Sequence, residues 1–187
     1  AHGIKVKALT ARGDIDRLEE QIREFSPETC AVLDEKKAAE LKCRVADTGT
    51  LVTAGESSIE DLAYNVKCDI FLNSIIGKAG LRPTLAAIES GKNIALANKE
   101  TLVSAGSLVM KKAREYNLPI IVMDHTPPKK KDMSKIKHYF GNILLLCGHT
   151  HKGQIWPFGF VTKMLFANDY GYLPKEEYKP HIITSCG

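Results

Sequence analysis

Several absences in this sequence of 187 residues exclude whole classes of protein. No apolar run reaches about 18 residues, the length that crosses a bilayer as a helix, so we expect no transmembrane segment. The five cysteines are widely spaced and none forms a Cys-x-x-Cys pair, which argues against a disulfide framework or a zinc ribbon. The start shows no basic region followed by an apolar run, and no initiator Met, as expected after processing or truncation. We therefore predict a cytoplasmic protein with reduced thiols and no membrane partner.

The net charge of +4 is too small and too scattered to predict a nucleic-acid partner. Its distribution is more informative. Residues 1–123 hold 17 basic and 17 acidic side chains, whereas residues 124–187 hold 9 and 5. Five of the six histidines and nine of the thirteen aromatic residues also follow residue 123. We predict two segments of different origin, 1–123 and 124–187; a catalytic loop region within one domain is the alternative.

Strand-like and helix-like stretches alternate from residue 4 to about residue 123. The predicted strands are residues 4–10, 31–33, 69–76, 93–97 and 118–122. The predicted helices are residues 15–25, a segment around 35–44, one from about Pro83 to the glycine at 91, and one from Asn98 to about residue 116. This alternation is typical of an α/β fold with a parallel, Rossmann-like sheet. The glycine-rich loop that holds a pyrophosphate is not found, so the sheet is predicted to lack its first βα unit.

Two strand ends carry residues suited to binding anions, and ligands of such sheets sit at the carboxyl ends of the strands. After the first predicted strand come Arg12, Gly13 and Asp14, where a guanidinium could pair with the 2′-phosphate of NADP. A solvated turn is the alternative there. Asn98, Lys99 and Glu100 follow the strand at 93–97, where a helix N-terminus and a lysine suit a phosphate or a polarised carbonyl. A simple helix cap with surface charges is the alternative for that triplet.

Three sequence blocks in the first segment resemble the 1-deoxy-D-xylulose 5-phosphate reductoisomerase family. They are KVKALTA at 5–11, EQIREFSPE at 20–28 and NSIIGKAGLRPTLAAIESGKNIALANKETLVSAG at 73–106. The resemblance implies an NADPH-dependent oxidoreductase of the non-mevalonate isoprenoid pathway, which converts 1-deoxy-D-xylulose 5-phosphate into 2-C-methyl-D-erythritol 4-phosphate. Its substrate would be a small phosphorylated molecule.

The same resemblance assigns roles to individual residues. Arg12, Gly13 and Asp14 fall on the turn that contacts NADPH, with Asp14 in place of the usual Asn. Asn98, Lys99 and Glu100 fall on the Asn-Lys-Glu triplet, in which the lysine contacts substrate and its neighbours lie close to the cofactor. The family continues with Pro-Val-Asp-Ser-Glu-His, whose acidic residues bind Mg²⁺ or Mn²⁺. Only Asp124 matches that pattern here.

Histidines dominate the second segment. A predicted strand at 143–147 ends in Gly148-His149-Thr150-His151, and two histidines spaced by two residues can share a metal. The stretches DHTPP, CGHTHKGQ, FGFVTKMLFANDYGY and HIITSCG resemble the carboxy-terminal part of the calcineurin-like metallophosphoesterases. That resemblance implies a fragment of their α/β sandwich and assigns His125, His149 and His151 to a dinuclear transition-metal centre. The earlier ligands of that family, with its bridging carboxylate, are missing.

Three functions remain open from the sequence. The first is an NADPH-dependent reductoisomerase, the second is a metal-dependent phosphoesterase, and the third is a non-catalytic chimera from gene fusion, gene decay or the joining of two sequences. Because each enzyme lacks required motifs, we expect the chain to be inactive as it stands. A sheet without its first strand would also expose unpaired edges, so marginal stability or homo-oligomer formation is expected.

Overall fold

The computed structural model describes residues 3–97, 99–132, 143–148, 164–168, 171–174 and 181–185. Within them the chain forms strands and helices in two compact units, Ala1–Asp69 and Ile70–Gly187. The strands are β1 (Ala8–Ala11), β2 (Thr29–Val32), β3 (Leu51–Ala54), β4 (Ile70–Asn73), β5 (Asn93–Leu96), β6 (Ile120–Asp124), β7 (Ile143–Cys147), β8 (Gly171–Leu173) and β9 (His181–Thr184). The helices are α1 (Ile15–Phe25), α2 (Glu35–Arg44), α3 (Glu56–Asn65), α4 (Leu81–Glu89) and α5 (Lys99–Glu115).

The first unit is a three-stranded parallel sheet in the order β1-β2-β3, with helices in the connections. Helix α1 buries Ile15, Leu18 and Ile22, which recur at helical spacing and therefore lie on one face. They pack with Leu41 of α2 and Val32 of β2 in a single apolar core. The sheet and its core hold the carboxyl ends of β1 and β2 in fixed positions.

The second unit is a six-stranded sheet in the order β4-β5-β6-β7-β9-β8. All neighbouring pairs are parallel except β8 and β9, which are antiparallel. Its core is formed by buried apolar side chains from strands and helices: Ala87, Ile88, Ile94, Leu96, Val109, Met110, Ile120, Ile143 and Ile182. Parallel strands buried on both faces need this near-continuous apolar composition.

The α/β class and the parallel sheets agree with the sequence prediction, and α1 and α2 occupy the predicted residues. The apolar run at 69–76 predicts a strand buried on both faces, but β4 forms a sheet edge and leaves Ile70 and Leu72 more than half exposed. Among the described residues, no helix is both long and apolar enough to cross a bilayer.

The described part of 124–187 continues the second sheet. Strand β7 pairs with β6 from Ile120–Ile143 to Asp124–Cys147. It therefore extends the sheet beyond β6 and does not pair with β1 or β4, each of which is an edge strand of its own sheet. The predicted boundary at 123–124 lies inside the second unit. Two origins for the segments, and a metallophosphoesterase sandwich, stay predictions.

Candidate functional site

The carboxyl ends of β1 and β2 in the first unit border an open cavity of about 720 Å³. The residues that line it come from the turn after β1, the first turn of α1 and the beginning of α2: Arg12, Gly13, Asp14, Ile15, Asp16, Leu33, Asp34 and Lys37. The structure thus brings together Arg12, Gly13 and Asp14 at the strand end where the sequence predicted cofactor contacts. A cavity at this edge has the usual position of a ligand site in parallel α/β sheets.

Two of the acidic residues of the cavity are helix caps. The Asp14 carboxylate accepts a hydrogen bond from the Arg17 amide at 3.2 Å, and the Asp34 carboxylate accepts one from the Lys37 amide at 3.1 Å. Each bond satisfies an amide that would otherwise lack a partner at the start of α1 or α2. Asp14 therefore provides the same cap as the Asn that the family resemblance implies at this position, because both residue types cap helices well.

Lys37 is the basic residue among the cavity residues that the sequence pattern did not single out; the others are Ile15, Asp16, Leu33 and Asp34. Its Nζ donates a hydrogen bond to the Gly13 carbonyl at 2.7 Å, so the lysine reaches from α2 to the turn after β1. A Cβ on Gly13 would lie 3.3 Å from the Lys37 Cδ, tighter than ordinary van der Waals contact. Glycine at position 13 thus leaves room for the lysine stem. A lysine three residues after a capping Asp was the available signal in the sequence.

The second set of predicted residues follows β5 in the second unit. Lys99 and Glu100 are the first two residues of α5, so the strand-to-helix turn lies where it was predicted. Asn98 lies outside the described residues. The Ala97 amide donates to the Asn73 carbonyl at 2.9 Å, which ties the carboxyl ends of β4 and β5 together. Lys99 and Glu100 therefore lie at the carboxyl edge of the second sheet.

Asn73 organises the turn after β4. Its side chain is buried, and its Nδ2 donates to the Gly80 carbonyl at 2.8 Å and to the Thr84 hydroxyl at 2.7 Å. Its Oδ1 accepts from the Ile75 amide at 2.9 Å. A Cβ on Gly80 would lie 2.8 Å from the Asn73 Nδ2, so only glycine fits there. This network fixes the loop that leads into α4.

The predicted metal residues are only partly described. Asp124 is the last residue of β6, opposite Cys147 of β7, and the exposed His125 follows it. The Gly148 amide donates to the His125 carbonyl at 3.3 Å, so the turns after β6 and β7 are adjacent. Burial, and then the Asp124 charge, raise the pKa of the Cys147 thiol to about 12.

His149 and His151 lie outside the described residues. In the part of the chain that is described, no group of three or more His, Cys, Asp or Glu side chains is arranged to hold a metal ion. Asp124 and His125 alone do not make a catalytic metal site, which needs about three protein ligands. The predicted roles of all four residues stay predictions.

Comparison with known proteins supports the first of the two resemblances. The sequence model described as 1-deoxy-D-xylulose 5-phosphate reductoisomerase matches residues 1–106. The protein of that name from Lachnoclostridium phytofermentans is 44% identical over 121 residues, covering 65% of this chain and 31% of that protein. The one from Phocaeicola vulgatus is 44% identical over 120 residues, covering 64% and 31%.

Solved structures agree with the sequence comparison. The reductoisomerase from Zymomonas mobilis in complex with NADPH matches with a TM-score of 0.61 and 35% identity, covering 64% of this chain and 31% of that one. A reductoisomerase in complex with NADPH, fosmidomycin and magnesium matches with a TM-score of 0.59 and 35% identity, covering 63% and 29%. The chain thus spans about a third of the length of these relatives.

Proposed function

We propose a function from one premise: this chain belongs to the 1-deoxy-D-xylulose 5-phosphate reductoisomerase family. The proposed activity is the NADPH-dependent conversion of 1-deoxy-D-xylulose 5-phosphate into 2-C-methyl-D-erythritol 4-phosphate, a step of isoprenoid biosynthesis. Because the chain spans about a third of the length of its relatives, the activity of the whole protein is not assigned to it. We propose that the chain supplies the cofactor-binding part of that activity.

The observation that carries this proposal is the cavity at the ends of β1 and β2. Parallel sheets that bind NAD place an Asp or Glu near this strand end for the ribose 2′-hydroxyl, whereas an Arg there accommodates the 2′-phosphate of NADP. This chain has Arg12 at that position, exposed and lining the cavity. Together with the Gly13 backbone and the capped start of α1 at Asp14, it fits the phosphorylated ribose of such a dinucleotide. When bound, NADPH supplies a hydride.

The other assigned residues have proposed roles at the second sheet. Lys99 would contact the phosphorylated substrate as a mobile positive donor, and Asn98 and Glu100 would lie close to the cofactor. Asp124 would be one ligand of Mg²⁺ or Mn²⁺. One carboxylate does not make such a site, and the described residues contain no group of three His, Cys, Asp or Glu side chains that could hold the metal. We expect the chain alone to bind NADPH and not to turn over substrate.

Fluorescence titration of the purified chain with NADPH tests the cofactor proposal. Arg12→Ala is expected to weaken binding by about 10- to 100-fold, the loss for one charge-assisted hydrogen-bonding group. Arg17→Ala is the matched control, because Arg17 is exposed but does not line the cavity. Absence of NADPH binding, or an equal loss of NADPH affinity in both variants, would contradict the proposal. NADPH oxidation on adding 1-deoxy-D-xylulose 5-phosphate with Mg²⁺ would contradict the expected inactivity.

A metal-dependent phosphoesterase fragment is the second candidate, favoured by one contact. The Gly148 amide donates to the His125 carbonyl at 3.3 Å, and Gly148 directly precedes His149 in the sequence. We propose that these histidines hold one transition-metal ion, with 124–187 a segment of separate origin. Titration with Zn²⁺ and Mn²⁺ by calorimetry tests this. His125→Ala is compared with His138→Ala, which removes a histidine of the same segment that the resemblance does not assign to the metal. Equal binding by both variants would remove the candidate.

We also propose that the protein is cytoplasmic. A further proposal is that it self-associates through its sheet edges. Strand β4 is an edge strand and exposes Ile70 by 53% and Leu72 by 58%. Exposed apolar edge strands favour pairing with another chain. Light scattering coupled to size-exclusion chromatography should detect dimers or larger species, and Leu72→Lys should shift them to monomers. A monomeric wild-type chain at high concentration would contradict the proposal.

A further inference from the structure

We propose that Lys37 is a second residue, beside Arg12, that selects a ligand with a phosphorylated adenosine ribose in the first-unit cavity. This inference rests on the proposed cofactor function and deepens it. Neither the Rossmann pattern nor the family resemblance assigns a role to Lys37. The assignment comes from its position on the cavity wall and from its contact with the turn after β1.

The geometry leaves Lys37 available to a ligand. Its ammonium carries three N–H donors, and the Gly13 carbonyl at 2.7 Å takes one of them. The remaining two can serve a phosphate in the cavity that the side chain lines. Because the bond to Gly13 holds the flexible stem, binding a phosphate orders less of the side chain than binding by a free lysine would.

Gly13 and Lys37 form a matched pair. A methyl group on residue 13 would come within 3.3 Å of the lysine Cδ and 3.7 Å of its Nζ. A larger residue at 13 would therefore push the ammonium away from the backbone that holds it. The glycine is used here for close approach of a side chain, so the turn after β1 and the lysine on α2 act as one binding element.

Three acidic and two basic side chains line the cavity, but the contacts of the acidic ones make it more favourable to an anion than this count suggests. The Asp14 and Asp34 carboxylates accept hydrogen bonds from helix amides, and Asp16 forms an ion pair with Arg44 at 2.5 Å. All three acidic side chains therefore already have partners. The Arg12 guanidinium, in contrast, makes no hydrogen bond or ion pair to a side chain in the ranges that the structure describes. Arg12, and Lys37 with its bond to the Gly13 carbonyl, are thus the two cations that line the cavity and face a ligand.

Two nucleotides that differ in a single phosphate test the proposal. The wild-type chain is titrated by calorimetry with adenosine 2′,5′-bisphosphate and with adenosine 5′-monophosphate. We expect the bisphosphate to bind more tightly, and Lys37→Ala to weaken the bisphosphate by about 10- to 100-fold while leaving the monophosphate within about twofold. Lys36→Ala is the matched control, because it removes an equal charge from a neighbouring exposed position outside the cavity.

Each alternative outcome has a separate meaning. If Lys37→Ala weakens both nucleotides equally, the lysine only holds the loop, and the inference is overturned. It is also overturned if neither affinity changes, or if the wild type shows no preference. If the preference exists and depends on Lys37 but NADPH itself does not bind, the inference stands and the proposed cofactor function fails. Lys37→Arg, which keeps the charge, should retain most of the preference.

Discussion

Replacing Asn73 with alanine perturbs the buried polar network behind the strand ends of the second unit. Asn73 is 1% exposed, and its side chain makes hydrogen bonds to the Gly80 carbonyl, the Thr84 hydroxyl and the Ile75 amide. All three bonds are lost in Asn73→Ala. The substitution leaves the strand backbone intact, so the effect reports on the network itself.

The expected magnitude follows from those three bonds. A hydrogen bond contributes a net of about 0.5–1.5 kcal/mol to stability, and the cost is greater where a buried partner is left unsatisfied. We therefore expect Asn73→Ala to lower the free energy of unfolding of the second unit by about 2–4 kcal/mol. The Thr84 hydroxyl keeps its own bond to the Gly80 carbonyl at 2.8 Å, which places the estimate below the sum of three complete losses.

Urea denaturation followed by far-ultraviolet circular dichroism measures this change. Ser74→Ala serves as the control, because Ser74 is the next residue and is exposed, and surface substitutions usually change stability by less than about 0.5 kcal/mol. A loss below about 1 kcal/mol for Asn73→Ala would refute the reasoning, since it would mean that the network is replaced by water at little cost.

Four further predictions concern the first unit. Ile22→Ala removes a fully buried core side chain and should lower the free energy of unfolding by about 3 kcal/mol in the same assay. Asp34→Ala removes the cap of α2 and should cost about 1 kcal/mol; no loss would mean that the cap bond contributes nothing. Burial raises the pKa of the Cys30 thiol from 9.0 to about 11, so a thiol reagent near neutral pH should label the exposed Cys43 and spare Cys30. Because the raised pKa favours the neutral thiol in the folded state, that contribution to stability is present below about pH 9 and is lost as the pH rises towards 11, which denaturation at increasing pH measures.

The sequence predicts α1 well and misses α3 for one physical reason. Helix α1 has large apolar residues on one face and a capping Asp14, so both its period and its start can be read. The buried residues of α3 are Ser58 and Ala63, which are small or polar and leave no apolar period in the sequence. Hydrophobic periodicity therefore identifies a helix only where its buried side chains are large.

Position within the sheet and contacts across the chain were harder to predict. The apolar stretch of β4 suggested a strand buried on both faces, but its sequence cannot tell whether a neighbouring strand lies on each side. Lys37 has the pattern of an ordinary helix-surface lysine, and its bond to Gly13 joins residues 24 positions apart. The sequence singled out Arg12, Gly13 and Asp14, which line the cavity, whereas the position of Lys37 beside them depended on tertiary structure.

Helix α5 is not one continuous rod, because Ala105 has φ −145° and ψ 25°, values outside the α-helical region. The segment that follows the kink buries Val109, Met110 and Ala113 in the core. The segment that begins at Lys99 is joined to it only through this break. The first segment can therefore open without loss of core packing by the second. The amides of the first segment should exchange with solvent deuterium sooner than those of the second. The kink means that Lys99, the proposed substrate contact, lies on a helical segment that a bound ligand can order without rearranging the core.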